Sequence, residues 1–459
     1  MPLSTPSGIF KAYDIRGLLG EEIDGDLAEQ IGRAFARVLG DLRDKAPGEL
    51  RIGLGRDMRQ GAAELSDRYR DGLMAEGAHV LDAGLVGTEM LYFLVGSHGL
   101  DGGLMCTASH NPRAYTGAKL VREGGRALSG EAGIGEVAAL VAEGLPDDAP
   151  GGGSVARVDI APAYHARLRT FVDRAALRPL RIVLDGGSGM AAHTIGPVLG
   201  ELPGLDLVRT SWEPDGAFPD HEPNPLLEEN RRAICEAVRS EGADLGIAFD
   251  GDADRCFFID ENGRFVDGDF LCALLARQVL AMRPGAAIVY DVRASWAVPD
   301  TVRAAGGVPH VNRVGHAFFK ARMHELGSVF GGEVSGHYYF ADFYNADSGA
   351  VPALLLLQLL GSSGQTLSGL LEPYRTRYFI SGEVNSEVAD PLGKLAEIRE
   401  RYADADQTEL DGVSVEYADW HFNVRCSNTE PLMRLCLESL VSPADMEQRR
   451  DEVLAVLRS

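Results

Sequence analysis

Short apolar runs of strand length recur along the chain, and three of them close on an aspartate: residues 51–57, 181–185 and 287–291. Each is followed by helix-compatible sequence. Each is later followed by a second apolar run that opens into a polar loop containing Gly or Ser: 103–106 into 107–112, 244–249 into 250–255, and 328–330 into 331–337. The pattern predicts three α/β modules. Each presents one loop at the C-terminal end of a strand, where open α/β sheets place their chemistry. From about residue 371 the paired runs stop, and the remainder reads as a smaller α+β domain. The Gly- and Pro-rich segment 145–154 marks a first boundary. The expected domains are 1–150, 151–258, 259–370 and 371–459. The longest apolar run, around 350–360, is too short to span a bilayer and reads as a buried helix.

The loop at 250–255 dominates the chemistry. Asp250, Asp252 and Asp254 alternate, Arg255 follows, and apolar strand-like sequence lies on both sides. Alternate side chains on an extended backbone point the same way, so three like charges converge unless a cation neutralises them. Oxygen-only ligands suit a hard ion, Mg²⁺ before Ca²⁺ and Zn²⁺ least. An EF-hand would also take aspartates at these spacings, and Glu261 falls at its twelfth position. Its sixth position requires Gly, however, and here holds Arg255. An acidic surface turn is the blander alternative.

Composition narrows the field. The 459 residues exceed one core, so about three or four domains are expected. A net charge of -24 argues against nucleic acid or an anionic membrane as the partner, so any anionic substrate needs a local cationic pocket. Six scattered cysteines without a CxxC pair read as free thiols in a reducing compartment. The first eight residues carry neither a basic start nor an apolar core, so no signal peptide is expected and the cytoplasm is the expected location.

Other candidates are weaker alone. Ser109, between small residues and ahead of His110, Asn111 and Pro112, could be a nucleophile or phosphoryl carrier. The stretch reads as a tight, exposed turn, and on residue types the stronger reading is a structural one in which the Ser109 hydroxyl caps the next segment. The sequence is not a G-x-S-x-G elbow, which disfavours acyl transfer. Lys119 on its own reads as a surface lysine. Gly187, Gly189 and Ala192 fit G-x-G-x-x-A after a strand, but no acidic residue ends an obvious second strand at the right offset, so a dehydrogenase is disfavoured.

Five segments occur in order: Lys11-Ala12-Tyr13-Asp14-Ile15-Arg16-Gly17, 107–112, 250–255, Gly332-Glu333-Val334-Ser335-Gly336-His337, and Arg425-Cys426-Ser427-Asn428-Thr429-Glu430-Pro431. Together they resemble the α-D-phosphohexomutase superfamily, most of all its bacterial phosphomannomutase/phosphoglucomutase branch, over essentially the whole chain. The resemblance implies three related α/β domains plus a C-terminal α+β domain around a central cleft. It implies that Ser109 carries a phosphoryl group, and that Asp250, Asp252 and Asp254, with an oxygen on Ser109, hold Mg²⁺. Tyr13 and Arg16 match cleft residues near the phosphoserine, and Arg255 adds a cation beside the metal. His110 and Lys119 match residues proposed to act around proton transfer, although a lysine base would need a lowered pKa.

Glu333, Ser335 and His337 match a sugar-binding loop that reads the 3- and 4-hydroxyls and not C2, where glucose and mannose differ. Without the resemblance, a Gly-rich turn with a buried glutamate serves equally well. His316 and Lys320, four apart on one helical face, sit where relatives contact substrate. Arg425, Ser427, Asn428 and Thr429, with Arg434 in support, match the cradle of the non-transferred phosphate.

The implied activity interconverts hexose 1- and 6-phosphates of mannose or glucose through a 1,6-bisphosphate. Glucose or mannose 1,6-bisphosphate acts as activator, and the protein is a monomer with sugar phosphates as partners. Thr116 and Ala253 replace residues common in relatives (Asn and Gly), without touching a ligand. Phosphoglucosamine mutases typically open their first motif differently, so Tyr13 to Gly17 favours the glucose/mannose branch. A phosphoglucosamine mutase and a non-catalytic sugar-phosphate-binding protein are the alternatives.

Overall fold

The three strands that close on aspartate form at Arg51–Arg56, Leu180–Asp185 and Ala287–Asp291. They are seen in a computed structural model that describes residues 8–129, 133–146, 149–426 and 432–459. The chain packs as two compact units. One runs to Phe265 and takes in His337–Gly364; the other combines Val266–Gly336 with Gln365–Ser459.

The first unit holds two mixed sheets. The larger runs in the order Ile15–Leu18, Tyr115–Arg122, Gly102–Cys106, Arg51–Arg56, His79–Leu85, Ser154–Arg157. Its four later strands are parallel, and Tyr115–Arg122 is antiparallel to both neighbours. Helices Gly25–Arg43 and Ala62–Ala75 cross at Gly32 and Gly72. A Cβ on Gly32 would lie 2.4 Å from the Tyr69 carbonyl, and one on Gly72 would lie 2.1 Å from that of Glu29. Only glycine permits that approach. The smaller sheet orders Cys256–Asp260, Leu245–Phe249, Leu180–Asp185, Leu205–Thr210, the first pair antiparallel. The acidic loop therefore joins two buried strands, which removes the EF-hand reading. Gly189 packs beneath it: a Cβ there would come 2.5 Å from the Gly251 carbonyl. Close backbone approach accounts for that glycine.

In the second unit, Val308–Asn312 and Phe330–Gly332 flank Ala287–Asp291 in parallel. The third module's second strand starts at Phe330, later than the expected 328, because Ser328 turns its hydroxyl to within 2.8 Å of the Ala287 and Phe330 carbonyls. Helix Leu367–Arg375 runs across position 371. Beyond it, Phe379–Glu387 opens an antiparallel sheet ordered with Leu432–Ser439, Trp420–Cys426, Val413–Glu416 and Asp406–Thr408. The apolar run near 350–360 forms helix Ala350–Ser363, largely buried. Among the described residues no single helix is long and apolar enough to cross a membrane.

The three aspartate-closed strands end in the same local turn. Asp57 accepts the Arg59 N–H at 2.9 Å, Asp185 that of Gly187 at 2.9 Å, and Asp291 that of Arg293 at 2.8 Å. Each carboxylate also faces a cationic side chain: Arg59 at 3.4 Å, His221 at 3.0 Å and Arg293 at 2.8 Å. The repeat read from the apolar pattern thus extends to side-chain chemistry.

Candidate active site

Ser109 lies just past strand Gly102–Cys106 with φ of 50°, left-handed space that a non-glycine residue enters at a cost. The Thr107 hydroxyl accepts its N–H at 2.9 Å. Arg59 donates to the carbonyls of Ser109 and Asn111 at 2.6 Å each, and to those of Pro112 and Tyr115 at 3.1 Å each. The expected exposed turn is a buried one, with Ser109 only 2% accessible. The reason is the acidic loop packed on it: a Cβ on Gly251 would sit 2.5 Å from the Ser109 carbonyl. Ser109 Oγ donates to Asp250 Oδ2 at 3.1 Å and lies 3.2 Å from His110 Nδ1.

Asp250, Asp252 and Asp254 are fully buried, and each offers a carboxylate oxygen within 4.8 Å of the others. Arg255 holds Asp250 Oδ2 through Nε at 2.9 Å. Lys119 Nζ donates to Asp252 Oδ2 at 2.7 Å and to Asp254 Oδ2. Lys119 is therefore buried between carboxylates, where the sequence suggested a surface lysine. The Thr88 hydroxyl also donates to Asp252 Oδ2, at 2.5 Å, and the Thr88 N–H to the Asp252 carbonyl at 3.1 Å.

Burial pushes the Asp250 and Asp254 carboxyls above their ordinary range. At Asp252 the Lys119 ammonium overrides burial and holds the carboxyl below that range. Burial opposes the charge on Lys119, but Asp252 and Asp254 outweigh it and raise its pKa. Three carboxylates against two side-chain cations leave a local deficit of positive charge. Asp252 Oδ1 and Asp254 Oδ1 are buried with no hydrogen-bond partner among the described residues. This donor set fits a hard divalent cation.

Two other expected residues of this unit, His110 and Arg16, meet the Ser109 loop. His110 has its pKa pushed well down by burial, then by Arg255, Arg16, Lys119 and Arg59. Arg16 pairs with Asp14 through Nε at 2.7 Å and donates to Asn111 Oδ1. Tyr13 is half-buried two residues ahead of strand Ile15–Leu18. His337, assigned to the sugar loop, brings its Nε2 to 4.0 Å from Asp254 Oδ1.

The second unit carries the remaining candidates. Glu333 is buried, and its Oε2 accepts the Gly315 N–H at 2.9 Å, directly ahead of helix His316–Leu326. His316 opens that helix, and Lys320 lies one turn on, buried. Ser335 is half-buried. Arg293 forks onto Asp291 (Nε to Oδ1 3.1 Å, Nη2 to Oδ2 2.8 Å), donates to Glu383 at 3.1 Å and lies 3.8 Å from Glu333. Asp291 Oδ2 also accepts the Val334 N–H at 3.0 Å, which ties down the Glu333 loop. Arg434 donates to Glu383 Oε1 at 3.0 Å. Burial raises the Glu383 pKa, but Arg293, Arg434 and Arg425 together bring it below its ordinary value. Arg425 is buried at the end of strand Trp420–Cys426. Ser427, Asn428 and Thr429 lie outside the described residues.

Sequence reading missed Thr88, Arg59, Arg293 and Glu383. The Asp-x-Arg after the first and third aspartate-closed strands was a usable signal for the two arginines.

Sequence models of one family match four stretches: phosphoglucomutase/phosphomannomutase alpha/beta/alpha domain I over 7–144, domain II over 162–263, domain III over 267–378, and the C-terminal domain over 383–456. The chain is 43% identical over 456 residues to the phosphohexose mutases of Xanthomonas campestris pv. campestris (strain B100), covering 98% of this chain and 99% of that one. It is 41% identical over 458 residues to a phosphomannomutase of Escherichia coli (strain K12), covering 98% of each. Among solved structures, a phosphoglucomutase/phosphomannomutase family protein from Burkholderia thailandensis superposes with a TM-score of 0.88 at 32% identity, covering 98% of this chain and 97% of that one.

Proposed function

The chain belongs to the phosphoglucomutase/phosphomannomutase family, and from that premise we propose that it interconverts the 1- and 6-phosphates of mannose and of glucose through a phosphoserine at Ser109. It is a hexose-phosphate mutase, as its full-length relatives indicate. The observation that carries the finer reading is Ser109 Oγ, 3.1 Å from Asp250, within a buried three-carboxylate cradle.

Phospho-Ser109 donates to the free hydroxyl of the bound monophosphate. The new O–P bond forms as the Oγ–P bond breaks, the electron pair returns to Ser109 Oγ, and the proton given up by the attacking hydroxyl ends on that oxygen. The bisphosphate then turns end for end. Ser109 Oγ attacks the other phosphate, that phosphate's bond to the sugar oxygen breaks, and the serine proton ends on the departing sugar oxygen of the isomerised monophosphate. His110, kept neutral by burial and surrounding cations, lies 3.2 Å from Oγ and suits that proton. Lys119, held between Asp252 and Asp254, supplies a fixed cation to that cradle. Asp250, Asp252, Asp254 and a Ser109 oxygen would hold Mg²⁺, which when bound offsets the phosphate charge and polarises phosphorus.

In the second unit, Glu333 and Ser335 read the sugar's 3- and 4-hydroxyls, with His316 and Lys320 in support. Contacts at those positions leave C2 unread, which admits both sugars. Arg425, with Ser427, Asn428 and Thr429, takes the phosphate that is not transferred, and Arg434 steadies that end. Glucose or mannose 1,6-bisphosphate primes the unphosphorylated enzyme.

A steady-state assay tests this, comparing the 1-phosphates of glucose, mannose and glucosamine with Mg²⁺ and a trace of bisphosphate. The expected result is comparable turnover of the first two. Turnover of the glucosamine substrate alone moves the protein to the phosphoglucosamine branch, and binding without turnover makes it a sugar-phosphate-binding protein.

A further inference from the structure

Behind the Ser109 loop lies a buried arginine that the family motifs did not bring to notice. Arg59 is 3% accessible. Its guanidinium reaches the carbonyls of Ser109, Asn111, Pro112 and Tyr115, so one side chain supplies donors along the whole turn. Its Nε faces Asp57 Oδ2 at 3.4 Å, and its Cζ lies 5.2 Å from the Phe218 ring centroid. The segment bearing Arg59 is itself gripped. Gly216 bridges to Arg59, where a Cβ would meet the Met58 carbonyl and the Gln60 N at 2.6 Å each. The loop it holds needs holding, because Ser109 sits at φ 50° and buried carbonyls without donors are costly.

We propose that Arg59 is a positioning residue for phosphoryl transfer: it fixes the backbone of 109–115 so that Ser109 Oγ keeps its place against Asp250 and His110 in both half-reactions. This rests on the reading of Ser109 as the phosphoryl carrier. Arg59 touches no reacting atom and acts through the loop. A planar fork with five donors serves four carbonyls at once, which the three donors of a lysine ammonium cannot do. Lysine still keeps the charge that faces Asp57.

The experiment compares Arg59→Lys, Arg59→Ala with and without added guanidinium ion, and Ser109→Ala in the full chain. It reads kcat, KM for glucose 1-phosphate, Mn²⁺ affinity and melting temperature. Expected for Arg59→Lys is a kcat about 100-fold lower, with KM and Mn²⁺ affinity within about threefold of wild type, since a misplaced reacting group costs rate more than binding. Guanidinium should raise the kcat of Arg59→Ala and leave that of Arg59→Lys unchanged. If the alanine variant does not fold, the lysine variant decides alone. A wild-type kcat in Arg59→Lys overturns the inference, as does a loss of metal and sugar affinity in proportion to kcat. Full activity in Ser109→Ala would instead remove the carrier reading, whatever Arg59 does, so the two failures are distinct.

Discussion

The turns at residues 57–59 and 291–293 start alike. Each follows a buried strand, each aspartate accepts the N–H two residues on, and each is answered by an arginine. From there they diverge. Arg59 donates to four backbone carbonyls of the Ser109 loop, all neutral acceptors. Arg293 donates to the carboxylates of Asp291 and Glu383 and lies near that of Glu333. The first arginine sets the backbone shape of the loop that bears Ser109. The second balances charge among the carboxylates of Asp291, Glu333 and Glu383. The carboxylates follow the same division: those of 250–254 outnumber their side-chain cations and fit a metal, whereas Asp291, Glu333 and Glu383 are answered by three arginines, Arg293, Arg434 and Arg425.

The contrast breaks most directly by exchanging arginine for lysine at both turns. Arg59→Lys is expected to lose about 100-fold in kcat and Arg293→Lys about tenfold or less, because a lysine can keep an ion pair but not a four-carbonyl fork. Equal losses would erase the distinction. Next in size, Asp252→Asn should weaken Mn²⁺ binding by about 100-fold, measured by titration under paramagnetic resonance, while Glu333→Gln leaves it unchanged. Glu333→Gln should instead lower kcat/KM by about tenfold to 100-fold, the worth of a charged hydrogen bond.

Smaller still, Arg434→Gln removes an ion pair that is about one-fifth exposed, and should raise KM by no more than about fivefold. The smallest effect is on stability. Burial pushes Glu89 in the first unit up to about 8 and Asp269 in the second up to about 7. Both keep a proton when folded that they release when unfolded. Their contribution is therefore full below the ordinary carboxylate values, 4.5 and 3.8, and is lost as pH rises through about 8 and 7. The melting temperature should drop by a few degrees across that window, and Glu89→Gln should flatten the upper part of the drop.

Much of this was legible in the chain. Apolar runs ending in Asp57, Asp185 and Asp291 give the repeated strands, because burial on both faces requires continuous apolar sequence. The alternation of Asp250, Asp252 and Asp254 gives the convergent carboxylates. Lys119 was misjudged for a physical reason. Its partners Asp252 and Asp254 lie more than a hundred residues away, and nothing local marks a lysine for burial. Arg59 escaped likewise, since carbonyl acceptors leave no trace in side-chain identity. Ser109 read as exposed because turn chemistry is local, while its cover, the acidic loop, comes from another module.

The central claim is that Ser109 carries the transferred group. The enzyme would be charged with radiolabelled glucose 1,6-bisphosphate, the labelled peptide mapped, and the rest chased with unlabelled mannose 1-phosphate. The expected result is label on the peptide containing Ser109, leaving on the chase as mannose bisphosphate or monophosphate. Label on another residue, on none, or released only as free phosphate would contradict it.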